Sequence, residues 1–310
     1  MLMKLIKGTL KIDNLTLYIH KKRKLIFKHL YRCKYGSKEI IKVMKEMGMK
    51  EGSVIMVHSS MTEFYNYTDS AKELIDAIIE AIGPSGTLIM PAYPKIKFVK
   101  ERDLDNPKWV DFDVNTTSSG AGYLTEVFRQ YPGVRRSINI QHSVCAIGAL
   151  ADYFVSEHHL SQTAWDEYSP YYKLYLCDGL VFTFGLPEML PTVHHCTESL
   201  LRHKYAYFNS FFNKEICYRY RDGEGNTGTH KMLFPDIDRK RRKKKFIEKW
   251  LDPSLHKKRR LSNLHIEAFS ARNLLQTLIA HAEEGEVIYI RPSSKEYRKD
   301  GMLLSTGVKQ

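Results

Sequence analysis

The stretch Thr192-Val193-His194-His195-Cys196-Thr197-Glu198 sets an imidazole and a carboxylate three residues apart. On a helix that spacing puts His195 and Glu198 on one face, one above the other. A carboxylate beside an imidazole favours the imidazolium and orients the ring, which is the build of a general base. The same pair also fits a surface ion pair on a solvated helix, and His194 is an equal candidate for the reactive ring. A metal centre on His194, His195 and Glu198 is set aside. Adjacent histidines on a helix do not both face one ion and no third-ligand spacing accompanies them, so no metal is expected. Cys196 reads as a core thiol rather than a nucleophile.

The elements around this stretch must place it. Gly179-Leu180-Val181-Phe182-Thr183-Phe184-Gly185 is an apolar run closed by glycine and predicts a buried strand. Leu186, Pro187 and Pro191 form a loop, and helical spacing begins at Thr192. Upstream, Ser37 starts a helix ended by Gly48 and Gly52, and Val54–Val57 is a strand with His58-Ser59-Ser60-Met61 at its carboxyl end. In α/β sheets that end is where ligands bind. Ala71–Ile82 is an amphipathic helix, Gly83-Pro84-Ser85-Gly86 a turn and Thr87–Pro91 a strand, so the unit reads as a parallel crossover.

Further along, residues 93–115 read as a long loop over the sheet edge. A short helix at 123–130, an apolar stretch at 142–148 and a helix at 171–176 follow. Gly223-Glu224-Gly225-Asn226-Thr227-Gly228 matches the form GxGxxG, but no helix follows it; two strands joined by a glycine-rich turn fit better. Residues 263–284 read as a closing helix and Val287–Arg291 as a last strand.

The composition narrows the classes. With 43% apolar and 12% aromatic residues, the 310-residue chain suits a packed globular protein. No apolar run is long enough to span a membrane and no secretory signal is evident. Five scattered cysteines without CxxC spacing read as reduced thiols, so a cytoplasmic location is expected. The net charge of +13 is concentrated in three runs, at 21–24, 239–245 and 257–260. These read either as solvated faces or as anion-attracting patches. They lack interleaved aromatics, so nucleic acid is not an expected partner. The chain divides into an N-terminal basic extension at 1–35 and a main domain at 36–310.

Seven separated blocks, in order, resemble the aminoglycoside 3-N-acetyltransferase (antibiotic N-acetyltransferase) family. Val57-His58-Ser59-Ser60-Met61 is similar to V-H-S-S-L, and Gly83–Pro91 to G-P-x-G-T-L-V-M-P. Thr117, Ser119, Gly122, Glu126 and Arg129 fall on T-P-S-x-M-G-x-x-x-E-x-x-R. Pro132-Gly133 with Arg136-Ser137 matches P-G-x-x-R-S, and Ser143, Ala146 and Gly148 match S-x-x-A-x-G. Ser169-Pro170 with Leu174 matches S-P-x-x-x-L, and Thr192, His195 and Glu198 match T-x-x-H-x-x-E. The likeness runs from about Ile41 to Phe246. It departs at Arg136-Ser137-Ile138-Asn139-Ile140, where R-S-x-H-P loses its histidine and proline, and near Phe64–Tyr67, where glycines are replaced.

The resemblance implies a three-layer α/β/α fold with a mixed central sheet, distinct from the GNAT fold. It implies an acetyl-CoA-dependent acyltransferase acting on an amine of an amino sugar, aminoglycoside-like, nucleotide-linked or in a glycan. His195 would be the general base, Glu198 would orient it and Thr192 would help hold the tetrahedral intermediate. His58, Ser59, Ser60 and Met61 would bind coenzyme A, with Arg136, Ser137 and Ser143 near it. Because a +13 surface repels polycations, an acceptor carrying negative charge is expected, nucleotide-linked or glycan-bound. A local acidic pocket from Asp166, Glu167 and Glu188 would offset that repulsion. The alternative is a non-catalytic protein that binds coenzyme A or a polysaccharide-synthesis partner. A homo-oligomer is compatible with either.

Overall fold

Alternation along the strands decides which face each residue serves. The computed structural model describes residues 22–23, 25–27, 29–31, 33–95, 110–235, 239–290, 298–299 and 302–303. Most of the 1–35 extension therefore lies outside the described residues.

Helix α1 (Ser37–Glu46) starts where the Asp69 carboxylate accepts the Ser37 N–H at 2.6 Å, so its cap comes from a distant loop. Strand β1 (Val54–Ser59) follows. Helix α2 (Ala71–Ile82) opens with a reciprocal cap: the Ser70 hydroxyl accepts from Glu73 N–H, and the Glu73 carboxylate accepts from Ser70 N–H. Strand β2 (Thr87–Pro91) then pairs parallel with β1, as the crossover reading expects.

Next come β3 (Val110–Asp113), α3 (Tyr123–Arg129), β4 (Arg135–Arg136), β5 (Val144–Gly148), α4 (Pro170–Leu176) and β6 (Leu180–Phe184). Helix α5 (Cys196–Leu201) carries Glu198. Strands β7 (Lys214–Arg221) and β8 (Thr227–Phe234) form the hairpin expected around the glycine-rich turn. Strands β9 (His256–Leu261) and β10 (Leu264–Ser270) and helix α6 (Ala271–Glu283) complete the described core.

The main sheet has the order β4-β5-β2-β1-β6-β10-β9. Its centre, β2-β1-β6, is parallel, and antiparallel strands flank it on both sides. The sheet is mixed. Ile55, Val57, Leu88, Met90, Phe182 and Ile266 pack on one face, against α1, α2 and α3. Met56, Ile89, Val181 and Phe269 pack on the other, with residues of α4, α5 and α6. That gives three layers, α/β/α, and puts α5 on the face of β1 that carries Met56 and, by alternation, His58.

Three readings are corrected. Residues 110–113 are not loop but β3, which pairs parallel with β7 in a second, three-stranded sheet; residues 96–109 lie outside the description. The run 264–270 is strand, not the start of the closing helix. In Leu264-His265-Ile266-Glu267-Ala268-Phe269-Ser270 the side chains pack on both faces of the sheet, a burial a helix pattern can mimic. Residues 287–290 form no strand; Tyr289 makes a single bridge to Arg241, and Arg291 is outside the described residues.

Gly148 closes β5 at φ +117, and a Cβ there would meet the Gly86 carbonyl oxygen at 2.1 Å. Gly148→Ala is predicted to destabilise by ~2 kcal/mol or more, through both backbone strain and that clash. Thermal unfolding checks it: a lowered midpoint is expected, and an unchanged one contradicts the register of β5 on β2.

Candidate active site

The parallel strands β1, β2 and β6 end together, and the residues just past them converge. Strand β1 leads to Ser59 and Ser60, β2 to Tyr93, and β6 to Gly185 and the loop ending at Pro191. The Ser60 N–H donates to the Phe184 carbonyl at 2.9 Å, locking two of these ends. Gly185 sits at φ +68, where a Cβ would lie 2.7 Å from Cβ of Glu63, so only glycine lets the chain turn there.

Pro191 begins a 3₁₀ turn over Thr192–His195 that runs into α5. His195 Nδ1 lies 2.9 and 3.1 Å from the two carboxylate oxygens of Glu198, so the pair read from the sequence is formed. With Nδ1–H donated to Glu198, Nε2 is the nitrogen left to act. The ring stacks on Trp165 at 4.4 Å and 24°. Trp165 is itself held by a turn in which the Asp166 carboxylate accepts from the Thr163 and Tyr168 N–H groups. Asp166 is thus consumed inside the protein, while Glu167 and Glu188 are exposed.

His194 is not an equivalent candidate. Its Nδ1–H donates to the Pro191 carbonyl at 2.7 Å, and its Nε2 accepts from Arg241 Nη1 at 2.6 Å. Both nitrogens are occupied, which fixes a neutral ring with no atom to offer.

The charge state differs from the sequence expectation of an imidazolium. Burial holds His195 well below the ordinary histidine value, and the Arg239 and Arg241 guanidiniums lower it further. Burial pushes Glu198 up to about 7, opposed by Arg239, His194 and Arg241. The solvent that would stabilise an ion pair is missing, since Glu198 is fully buried. Burial and the two guanidiniums therefore favour the neutral ring.

Arg239 completes the arrangement. Its Nη1 donates to Glu198 Oε2 at 3.0 Å, and the guanidinium lies over the Trp165 ring at 5.7 Å. The 239–245 run is thus neither a solvated face nor an outward anion patch throughout. Arg239 reaches Glu198, Arg241 reaches His194, and Lys244 donates to Glu267 and to the Pro187 carbonyl. The same guanidiniums bear on metal binding. Contrary to the helical-geometry argument, ligand atoms of His194, His195 and Glu198 do lie within 4.8 Å of one another. Arg239 and Arg241 already take up that space and repel a cation. A second such group, Glu248, His256 and Glu267, is bonded by Lys244 and Lys258.

Other groups that the sequence reading did not single out surround the ring. His142 lies 4.4 Å from Tyr93, 4.8 Å from Trp165 and 6.3 Å from His195 between ring centroids, and burial keeps it neutral. Tyr93 hydroxyl shares a 2.8 Å hydrogen bond with Thr192 Oγ1. The position of His142 beside the matched Ser143 gave a signal, Arg239 stood only as the first member of a basic run, and Tyr93 and Trp165 gave none.

The expected coenzyme-binding residues separate into two groups. His58 and Ser59 end β1, and Ser60 and Met61 start the turn after it. His58 is buried, its Nε2 has no hydrogen-bond partner, and burial lowers its pKa to about 3. Arg136, Ser137 and Ser143 lie in the interior with their polar atoms spent on the protein. Arg136 donates to Ser143 Oγ and to the carbonyls of Ala92 and Thr117, and Ser137 Oγ bonds His158 Nδ1 at 2.9 Å. Ser143 Oγ donates to the same Ala92 carbonyl. They brace the segment behind Tyr93.

Nitrogen-15 spectra of imidazole-labelled protein are predicted to show His195 neutral at pH 7 with the proton on Nδ1, titrating below the ordinary value of ~6.5. A ring protonated at pH 7 would contradict the balance of burial and guanidinium charge described here.

Comparison with known proteins gives the family. The family described as aminoglycoside 3-N-acetyltransferase matches residues 56–283. The SPbeta prophage-derived aminoglycoside N(3')-acetyltransferase-like protein YokD of Bacillus subtilis is 28% identical over 169 residues, which is 50% of this chain and 61% of that protein. The chain thus spans less than two thirds of that relative in the match. Aminoglycoside N(3)-acetyltransferase IV of Salmonella is 23% identical over 264 residues, 84% of this chain and 92% of that protein. Among solved structures, AAC-VIa bound to sisomicin superposes with a TM-score of 0.66 at 20% identity, covering 81% of this chain and 98% of the other. AAC-IIIb in binary complex with CoASH gives 0.65 at 20% identity, covering 82% and 98%. With the family matched across residues 56–283, the chain belongs to the aminoglycoside 3-N-acetyltransferase family.

Proposed function

We propose that this protein transfers an acetyl group from acetyl-CoA to an amine of an amino sugar, with His195 as general base. The observation that carries the reading is the 2.9 Å contact of His195 Nδ1 with Glu198 at the start of α5, with burial holding the ring below the ordinary histidine value. An amine protonated at neutral pH is not a nucleophile until it loses a proton. The ammonium releases that proton to solvent, and His195 Nε2 takes the second N–H proton as the neutral nitrogen bonds the acetyl carbon and the carbon–sulfur bond breaks. The imidazolium then returns the proton to the departing thiolate. A positioned base of this kind contributes about 10²–10⁴-fold.

Thr192, paired with the Tyr93 hydroxyl, is the side-chain donor proposed for the developing oxyanion. His58, Ser59, Ser60 and Met61 are proposed to line the path of the donor. The fit rests on the unpaired, buried His58 Nε2, on the hydroxyls at the end of β1, and on the open strand ends beside them. Arg136, Ser137 and Ser143 are proposed as supports of that wall through Ala92, since their hydrogen-bonding groups point inward. The relatives are named for aminoglycosides and one solved neighbour is bound to sisomicin. For this chain an acceptor carrying negative charge is proposed, because Asp166 is consumed in its turn and the net charge is +13.

Thiol release from acetyl-CoA, measured against aminoglycosides and nucleotide-linked amino sugars, tests the reading. Turnover is expected with the anionic amino sugars; turnover of the cationic drugs alone overturns the acceptor assignment. His195→Ala is predicted to lower kcat by about 10²–10⁴-fold with little change in the KM for acetyl-CoA. Retained kcat would remove His195 from the chemistry.

A further inference from the structure

Two of the three basic runs, 21–24 and 257–260, take no part in the candidate active site, yet the fold brings them together: Arg23 of one and Arg260 of the other line a common cleft. Residues 22–23, 25–27 and 29–30 are helical, and the Tyr31 N–H donates to the Phe27 carbonyl at 2.9 Å. This segment precedes the family-matched region. One side of it is fastened to the body. Asn66 donates from its side-chain amide to the Tyr31 carbonyl, and Arg260 of the edge strand β9 donates to the Tyr31 hydroxyl. The Phe27 and Tyr31 rings are half-buried, covered by each other and by the Arg23 and Arg260 guanidiniums.

The other side is apolar and open. Leu25 is 54% exposed, Ile26 63% and Leu30 67%. In the sequence they stand within 21–34, a stretch that holds seven Lys or Arg and no Asp or Glu. Beside it, β9 exposes Lys258, Arg259 and Arg260. The carboxylates near this face are engaged. Glu63, in the cleft with Arg23 and Arg260, accepts from the Tyr65 hydroxyl at 3.0 Å, and Glu248 pairs with Lys258 at 2.6 Å.

Charge on an edge strand guards it against pairing with another chain, but that explains neither the second run nor the open aliphatic side chains. A helix with exposed aliphatic residues set among cations is the pattern that lies in the plane of a bilayer. The aliphatic groups enter the acyl boundary, and the cations meet the phosphates of anionic headgroups. Nucleic acid fits less well, because its bases need open aromatic faces and both rings here are covered. A second copy of the chain would bring the same positive charge to the same place.

We infer that the 22–31 segment, with β9 beside it, docks the protein on an anionic lipid surface. The inference stands on this face alone and does not depend on the acyl-transfer reading.

Co-sedimentation of the full chain with phospholipid vesicles tests it. Phosphatidylcholine vesicles with roughly 30% phosphatidylserine are expected to carry the protein down, and vesicles of phosphatidylcholine alone to bind it about tenfold less or weaker. Leu25→Ser/Leu30→Ser keeps every charge and is expected to lower the partition coefficient about tenfold or more. Arg23→Gln/Arg259→Gln should lower it about tenfold too, and Lys245→Gln, an exposed charge elsewhere, should not. All these positions are exposed, so thermal midpoints equal to the wild type's are expected. Equal binding to the two kinds of vesicle, full binding by the leucine variant, or sedimentation without vesicles would overturn the inference. Tighter binding to a DNA duplex than to the vesicles, lost in the arginine variant but kept in the leucine variant, would assign the face to nucleic acid instead.

Discussion

A fully buried carboxylate shared between an imidazole and a guanidinium is the constraint on which the candidate site depends. Glu198 has no solvent to stabilise its charge, and a lone buried carboxylate would simply take up a proton. Arg239 at 3.0 Å opposes that, and the His195 Nδ1–H gives the carboxylate a second donor. The same burial and the same guanidinium keep the ring neutral. One arrangement therefore does two things: it fixes the tautomer of His195 and prevents the ring from charging before it has a proton to accept.

The scaffold exists to make that arrangement possible. A parallel trio of strands carries three chain ends to one edge of the sheet, and alternation sends His58 and Thr183 to the face on which α5 packs. The 3₁₀ turn after Pro191 then delivers Thr192, His195 and Glu198 within one short segment. Tyr93, His142 and Trp165 form an aromatic wall around the ring. Their rings cover most of the imidazole and lower the local dielectric, which strengthens the hydrogen bonds inside.

Local patterns were legible before the structure; long-range ones were not. The His195–Glu198 spacing is a statement about one turn of helix, so it could be read directly. The crossover from Val54 to Pro91 was legible because its helix, turn and strands each carry an unambiguous period or cap. Strand β10 was hidden because Leu264–Ser270 is buried on both faces and runs into α6 with no glycine or proline between them. The 239–245 run misled for a related reason. A string of like charges says nothing about which members turn inward, and the partners of Arg239, Arg241 and Lys244 lie 41, 47 and 23 residues away. Trp165 and Tyr93 likewise reach His195 and Thr192 only through tertiary packing.

The most direct test of the shared carboxylate is a double-mutant cycle in kcat over Glu198→Gln and Arg239→Gln. If both residues act through the Nδ1 contact of His195, the double variant will be no slower than the slower single variant, because the second change removes nothing further. If the two losses multiply, Glu198 and Arg239 act independently and the linked arrangement described here is wrong.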